Sequence, residues 1–492
     1  MADQKPSTLC LHNTLTKREE EFKSITPGKV LMYTCGPTVY GRPHIGNYSS
    51  YLMADLLRRW LEVLGYEVIH AKNITDVGHL LHDRDQGDDK VEKQAKREKL
   101  DPLEIARKYE AQFLEDEKAL NILEPFARPR ATETIPEMLA MIRILLEKGY
   151  AYEIADGIYF SVEKFKPYGA LSGNTVETLS AGARIEEREG KHHPADFALW
   201  KKCVGPNAPH LLRWSFASGK RVSTEGEDPS AGFPGWHIEC SAMSRKFLAE
   251  QIDVHTGGED NIFPHHECEI AQSEASSGRK PFVRYWVHRR WIQMGEEKMS
   301  KSLGNVLNLP DVVAQGFSPL DLRYYLLSVH YRTKLKFTER GLEDAKKARR
   351  KVTEWMGEME GKKGEEGKER KEGEERVQEW REKFSAAMNA DLNTPAALAV
   401  IFDCMTWSRN QSTWSTAAIA QLKEFVETIR RTFGCFEMEE LDLPADVLTL
   451  LTEREEARRA KDFHQSDELR AEILKKGYEV KDTPQGQAVR KI

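Results

Sequence analysis

Long apolar runs are missing from this chain of 492 residues. No stretch reaches the roughly 18 apolar residues of a membrane-spanning helix, so no membrane role is expected. The first 22 residues, Met1 to Phe22, are polar and charged, without the apolar centre of an export signal. Cysteine is scarce too. Seven cysteines, an odd number scattered over the chain, do not make a secreted disulfide framework and fit a reducing compartment, with the cytoplasm as the expectation. An excess of one charge is also lacking: 73 Lys and Arg against 79 Asp and Glu leave a net −6. A polyanionic partner would therefore have to meet local basic patches, not a uniformly basic body. No solenoid-type repeat is present. What remains is ordinary for a soluble protein, 40% hydrophobic and 31% charged, with length for two to four domains.

Residues 30–35 form a short apolar segment, followed by Gly36-Pro37 and then Arg42-Pro43-His44-Ile45-Gly46-Asn47, which reads as a strand ending in a tight loop. Leu52, Leu56, Trp60, Leu61 and Leu64 recur at helical spacing, Gly65 stops the pattern, and residues 66–74 are the next strand. This βαβ opening predicts a parallel sheet with a ligand crevice at the strand ends, holding Cys35, His44 and Asn47. A buried cysteine and a turn histidine would account for those residues equally well. Residues 83–99, dense in both signs of charge, read as a solvated loop passing into a helix, without chemistry. Helical patterns cover 100–123 and 135–148, and short β-like pieces between 150 and 214 indicate an inserted subdomain.

Trp236-His237-Ile238-Glu239-Cys240 opens an ordered, helical stretch; a lone cysteine such as Cys240 is more often a small core residue than a ligand. Val254 to Asp260 places a Gly-Gly turn between a strand and a helix start, where backbone can approach a ligand. In Phe263-Pro264-His265-His266-Glu267-Cys268-Glu269 the proline suits the first helical position, so His265 and Glu269 fall at i and i+4 on one face. That face can hold a metal, although a solvated polar helix start explains the run as well. Gly295 to Gly304 brackets two lysines and two serines, a loop suited to moving around an anion. Beyond Leu320 the pattern is nearly all helical. Lys346, Lys347, Arg349, Arg350 and Lys351 make a basic cluster that phosphate or plain water could meet, and 361–375 is a low-complexity charged insert.

Taken together, Cys35-Gly36-Pro37 before His44-Ile45-Gly46-Asn47, and Lys298-Met299-Ser300-Lys301-Ser302 later, resemble the two signature motifs of class I aminoacyl-tRNA synthetases. Within that class the chain resembles the cysteinyl-tRNA synthetase family nearly end to end. The resemblance runs through Asn73-Ile74-Thr75-Asp76, Asp196-Phe197-Ala198-Leu199-Trp200, Gly235 to Cys240, Phe263 to Glu269, and Asp391-Leu392-Asn393-Thr394-Pro395.

The resemblance implies an α/β fold: a Rossmann-type parallel-sheet catalytic domain (1–122 and 216–295) split by a connective insertion (123–215). A lysine-loop and stem-contact region (296–345), an α-helical bundle (346–440) and a small anticodon-binding domain (441–492) would follow. It implies one Zn²⁺ on Cys35, Cys240, His265 and Glu269, with Cys268 at i+3 from His265 as the competing fourth ligand. Catalytic roles fall on His44, Asn47, Lys298 and Lys301, substrate contacts on Thr75 and Trp236, and ATP contacts on Gly46, Gly258, Asp260 and Lys301. ATP with Mg²⁺, L-cysteine and tRNA for cysteine are the implied partners of a monomer. Three positions depart from the family pattern: Asn47 replaces a histidine, Thr256 a glycine, and Val489 an aromatic. Two rivals follow from the same residues: a cysteine ligase acting on an amino sugar, and a silent cysteine- or zinc-binding paralogue.

The implied zinc has a chemical reason. A shaped apolar pocket separates near-isosteres by only about a hundredfold, and cysteine differs from serine by one atom. A metal that lowers the thiol pKa and takes the thiolate discriminates further, because a hydroxyl ionises less readily and a methyl offers no ligand.

Overall fold

The computed structural model describes residues 8–80, 89–176, 190–226, 228–295, 297–299, 304, 306–365, 371–437, 443–483 and 486–491. A hairpin of β1 (Cys10–Asn13) and β2 (Arg18–Glu21) leads into β3 (Lys29–Thr34), α1 (Ile45–Val63) and β4 (Glu67–Lys72). α1 buries Leu52, Leu56, Trp60 and Leu61, and much of the rest of its surface too, because it lies between the sheet and the later helices: Trp60 stacks edge-on to Phe384 and its Nε1 donates to Asn389 at 2.9 Å. The chain continues through α2 (Lys90–Glu98), α3 (Pro102–Ala119) and α4 (Ile135–Glu147). β5 (Ala151–Ile154), β6 (Gly157–Phe160), β7 (Phe197–Lys202), β8 (Trp214–Ser215) and β9 (Ala231–Pro234) then form a separate antiparallel sheet in the order β5-β6-β7-β9-β8. α5 (Trp236–Phe247), β10 (Ile252–Gly258), α6 (Glu267–Ser277) and β11 (Val283–Arg289) return to the first layer.

The parallel sheet has the order β11-β10-β3-β4. From β3 the chain steps one way to β4, and β10 and β11 lie on the other side, so the winding reverses between β3 and β10. Ligands of such sheets sit at the carboxyl ends of the strands at this switch point. Cys35 follows β3 immediately and Gly257-Gly258 ends β10, so both central strands open on the same crevice.

The charged stretch at 83–99 departs from its solvated reading. Its residues 83–88 lie outside the described residues, but Asp89 and Glu92 are buried. Asp89 caps α2 by accepting from the Val91 and Glu92 amides, and Glu92 accepts from the amides of Leu211 and Leu212 at 2.8 and 3.0 Å. Here the charges tie two segments together.

After β12 (Ile292–Met294) and β13 (Glu297–Lys298), α7 (Leu309–Ala314), α8 (Pro319–Leu327) and β14 (Leu335–Phe337) lead to the helices α9 (Glu339–Gly361), α10 (Lys371–Asn389), α11 (Thr394–Arg409) and α12 (Thr416–Phe433). Arg349, one of the basic cluster on α9, is buried and donates to Asp321 at 2.7 Å, so it belongs to the packing and not to a solvated face. The bundle meets α1 at a buried joint. Asp55 accepts from Arg59 at 2.7 Å and from Arg323 at 2.5 Å. The two guanidinium groups also donate to the carbonyls of Leu120, Asn121, Arg431 and Phe433. Two of these acceptors are end carbonyls of α12, which a helix leaves without internal partners. α13 (Ala445–Arg459), α14 (Phe463–Lys475), β15 (Tyr478–Thr483) and β16 (Gly486–Lys491) make a small unit with its own core of Val447, Leu450, Ile473 and Val480. Among the described residues no helix is long and apolar enough to cross a membrane.

Candidate metal centre and adenylate crevice

Four donors from three parts of the chain meet below the switch point: Cys35 after β3, Cys240 on α5, and His265 with Glu269 at the start of α6, all with ligand atoms within 4.8 Å of one another. Cys35 Sγ is 3.8 Å from Cys240 Sγ and 3.5 Å from Glu269 Oε1, and His265 Nε2 is 3.0 Å from that same oxygen. Tetrahedral ligation with metal–sulfur bonds of about 2.3 Å puts two sulfurs about 3.8 Å apart, so the thiol pair already has the spacing of a zinc site. Cys268 lies apart from these donors; its sulfur is 3.5 Å from Tyr168 Oη.

Helical backbone begins at Pro264, the position its sequence predicts. Phe263 is extended (φ −137°, ψ 133°), Ile262–His266 form a wide turn, and regular helix starts at Glu267. A residue before proline is pushed toward extended backbone, so Phe263 stands outside the helix and Pro264 is its first helical residue. The i, i+4 contact of His265 and Glu269 survives because the backbone is helical from Pro264 onward.

Electrostatically the cluster is short of positive charge. Burial pushes the Cys35 thiol far up, reinforced by Cys240 beside it. Burial acts on Cys240 in the same direction, but the hydrogen bond from Cys35 and the charge of His265 bring it down to about 6. On His265 burial opposes charge, yet Cys240 and Glu269 raise it to about 10. Burial would raise Glu269, and His255 and His265 pull it to about 2. A dication would let both sulfurs ionise, as metal ligation requires. The hydroxyl of Tyr33, two residues before Cys35 on β3, is buried beside these thiols, and burial with the neighbouring Cys240 and Cys35 pushes its pKa well up.

Sequence reasoning missed His255 and treated His266 only as one member of its run. With Cys35 and Glu269 they form a second, overlapping group of donors. His255 Nε2 is 3.1 Å from Glu269 Oε2, and His266 Nε2 is 3.3 Å from Cys35 Sγ, with its Nδ1 2.8 Å from His288 Nε2. Burial and neighbouring imidazoles hold His266 well below its usual value, so the ring is neutral. The available signal for His255 was its place near the carboxyl end of a central parallel strand.

Trp236, at the start of α5, lies over the cluster, its ring stacked on His265 with centroids 4.2 Å apart. Thr75 is buried and its hydroxyl donates to Glu239 Oε2 at 3.0 Å while accepting from Asn73 at 3.1 Å. Higher in the crevice, His44 caps α1, and the Asn47 side chain accepts from the His44 amide at 3.1 Å. A Cβ on Gly46 would meet the His44 ring at 2.8 Å, so the absence of a side chain there leaves room for that ring within its own motif, and Met299 Sδ of the second motif lies in contact range of the same position at 3.8 Å. Ile45 donates to the Leu307 carbonyl at 2.9 Å, tying the same loop to the segment after the lysines. Lys298 is paired with Asp260 and lies over the Trp291 ring; Gly258 donates to Asn261 at 3.1 Å. Ser300, Lys301 and Ser302 lie outside the described residues.

Comparison with known proteins fits this geometry. Residues 21–347 match the model for the tRNA synthetases class I (C) catalytic domain, 383–437 the DALR domain, and 441–490 the cysteinyl-tRNA ligase anticodon binding domain. The cysteine–tRNA ligase of Chlorobaculum tepidum is 40% identical, covering 98% of each chain. That of Thermus thermophilus is 41% identical over 97% of this chain and 98% of its own. The chain belongs to the cysteine–tRNA ligase family. It is a class I aminoacyl-tRNA synthetase, with the mixed α/β fold and helical C-terminal part of that class. Cysteine–tRNA ligases share this fold with distant synthetases. A leucyl-tRNA synthetase ternary complex from Agrobacterium radiobacter superposes with a TM-score of 0.60 at 12% identity, covering 84% of this chain and 85% of the other. Mycobacterium tuberculosis methionyl-tRNA synthetase gives 0.55 at 14%, covering 82% and 90%.

Proposed function

We propose that the protein activates cysteine with ATP and passes it to the 3′ end of tRNA for cysteine, recognising the substrate by its thiolate at a zinc ion. Cys35, Cys240, His265 and Glu269 would hold the ion. The observation that carries the reading is their convergence, with tetrahedral sulfur spacing, at the end of β3 and beside Trp236. Zn²⁺ bound there would supply a Lewis acid that favours a thiolate over a hydroxyl or a methyl.

In the first step a carboxylate oxygen of cysteine attacks the α-phosphorus of ATP, the bond to the β-phosphate oxygen breaks, and pyrophosphate leaves. Lys298, Lys301, His44 and the amino end of α1 offer donors for the charge that grows on the phosphates, where contacts made in the transition state raise rate. Gly46, Gly258, Asp260 and Asn47 belong to the nucleotide side, and Mg²⁺ accompanies the triphosphate. Lys298 would have to leave Asp260 to reach it. Asn47 uses its side-chain oxygen on the α1 cap, leaving its amide N–H groups for the nucleotide. In the second step a ribose hydroxyl attacks the acyl carbon, loses its proton, and AMP departs. Thr75 and Trp236 would shape the amino-acid side. The protein is read as a cytoplasmic monomer.

Aminoacylation of bulk tRNA with labelled cysteine, beside cysteine-dependent exchange of pyrophosphate into ATP, tests the reading. Charging and exchange together are expected. Exchange without charging would turn the assignment to a ligase acting on an amino sugar, and the match of 441–490 to an anticodon-binding domain argues against that outcome.

A further inference from the structure

Trp236 has a second stacked neighbour besides His265. The His79 ring lies on it with centroids 4.0 Å apart and planes 10° from parallel, while His265 covers the opposite face at 4.2 Å and 24°. The indole is thus held between a donor of the metal centre and an imidazole from the 77–80 segment. Both nitrogens of that imidazole are engaged. Nδ1 is 2.6 Å from Thr38 Oγ1, and Nε2 faces Lys90 Nζ. An ammonium can only donate, so Nε2 is the acceptor, the ring is neutral, and its one proton sits on Nδ1, where it is donated to Thr38.

The backbone repeats the arrangement. The His79 carbonyl accepts from the Lys90 amide at 3.0 Å, and Val39, next to Thr38, donates to the Thr75 carbonyl at 3.1 Å. Gly78 has φ +80°, and a Cβ there would meet the Pro234 carbonyl at 2.7 Å and Glu239 Oε1 at 2.9 Å. The segment carrying His79 is therefore pressed against the start of α5, the helix that presents Trp236 and Cys240. His79 itself is buried, at 7% exposure.

We propose that His79 is a positioning residue for the amino-acid pocket: held by Thr38 and Lys90, it fixes the plane of Trp236 against His265 and so sets the wall of the cysteine subsite from outside. This rests on the proposed reading of Trp236 as that wall. An indole at the first turn of a helix, with its ring only partly buried, has several rotamers open to it. The two stacked imidazoles select one, and an aromatic pair of this kind contributes enough to change binding by up to about tenfold.

Cysteine-dependent pyrophosphate exchange with His79→Ala, His79→Phe and Trp236→Ala tests this, with zinc content measured on each protein. His79→Ala should raise the cysteine KM about tenfold, leave kcat and the ATP KM within about twofold, and retain the zinc of the parent. His79→Phe keeps a flat ring to stack on Trp236 but loses both hydrogen bonds that hold it, and should recover only part of the cysteine KM. An unchanged cysteine KM in His79→Ala overturns the proposal, and so does a rise accompanied by equal loss of zinc or of ATP affinity. If Trp236→Ala raises the cysteine KM and His79→Ala does not, the role of His79 alone fails. If Trp236→Ala also leaves it unchanged, the reading of Trp236 as the pocket wall fails with it.

Discussion

Two buried polar clusters, both assembled from distant parts of the chain, are built on opposite plans. At the joint between α1 and the helical bundle, Asp55 has two guanidinium partners, and those guanidiniums are completed by carbonyls at helix and loop ends. Its one excess positive charge is met by carbonyl dipoles of the chain itself, with no outside ligand. The donor cluster under β3 instead gathers two thiols, a carboxylate and an imidazole, with a second carboxylate-facing imidazole behind them. It reaches balance only when a cation is added. A self-completed network holds domains together, whereas one that needs a partner to complete it marks a binding site.

The largest effect should come from the second cluster. Cys240→Ser removes one soft ligand and should lower cysteine-dependent pyrophosphate exchange by more than about a hundredfold, beyond what is typical for groups that only support a ligand. Zinc content should fall in parallel while the melting temperature of the bundle changes little; full zinc with normal exchange would remove Cys240 from the site. Asp55→Asn should do the reverse. It leaves Arg323 buried beside a neutral amide and should cost about 3–5 kcal/mol in denaturant unfolding, with zinc stoichiometry intact. Loss of zinc in that variant would dissolve the distinction between the clusters.

The pH dependence separates them again. Burial would raise the Asp55 pKa, but Arg323 and Arg59 outweigh it and hold the carboxyl well below the usual range. A depressed folded pKa contributes stability above the unfolded value of about 3.9 that is lost as pH falls toward the folded one. The stability gap between the parent and Asp55→Asn should therefore narrow below about pH 4, as followed by denaturant titration. A gap of constant size down to pH 2 would show that the two guanidiniums do not depress the Asp55 pKa.

A smaller contrast lies within α6. Cys268→Ser should leave zinc and cysteine activation within about threefold, because its sulfur faces Tyr168, whereas Glu269→Gln should weaken both by about ten- to hundredfold. The opposite ranking would exchange their roles.

Much of this was legible in the sequence because local chemistry and the fold agree. The strand before Cys35, the stripe from Leu52 to Leu61 and the break at Gly65 follow from periodicity and appear as β3, α1 and β4. The long-range meeting of Cys35 and Cys240 with His265 came from the family resemblance; no spacing rule reaches across some two hundred residues. Other features were hidden for definite reasons. Charge density at 83–99 reads as solvated because paired burial of Glu92 with the Leu211 and Leu212 amides depends on a segment far along the chain. His79 was passed over because its stack on Trp236 is likewise tertiary.

Cobalt substitution tests the central claim most directly. If Cys35, Cys240, His265 and Glu269 hold a metal that receives the substrate's sulfur, adding cysteine to the cobalt-loaded protein should strengthen its sulfur-to-metal absorption, and adding serine should not. No change with cysteine, or the same change with serine, would contradict it.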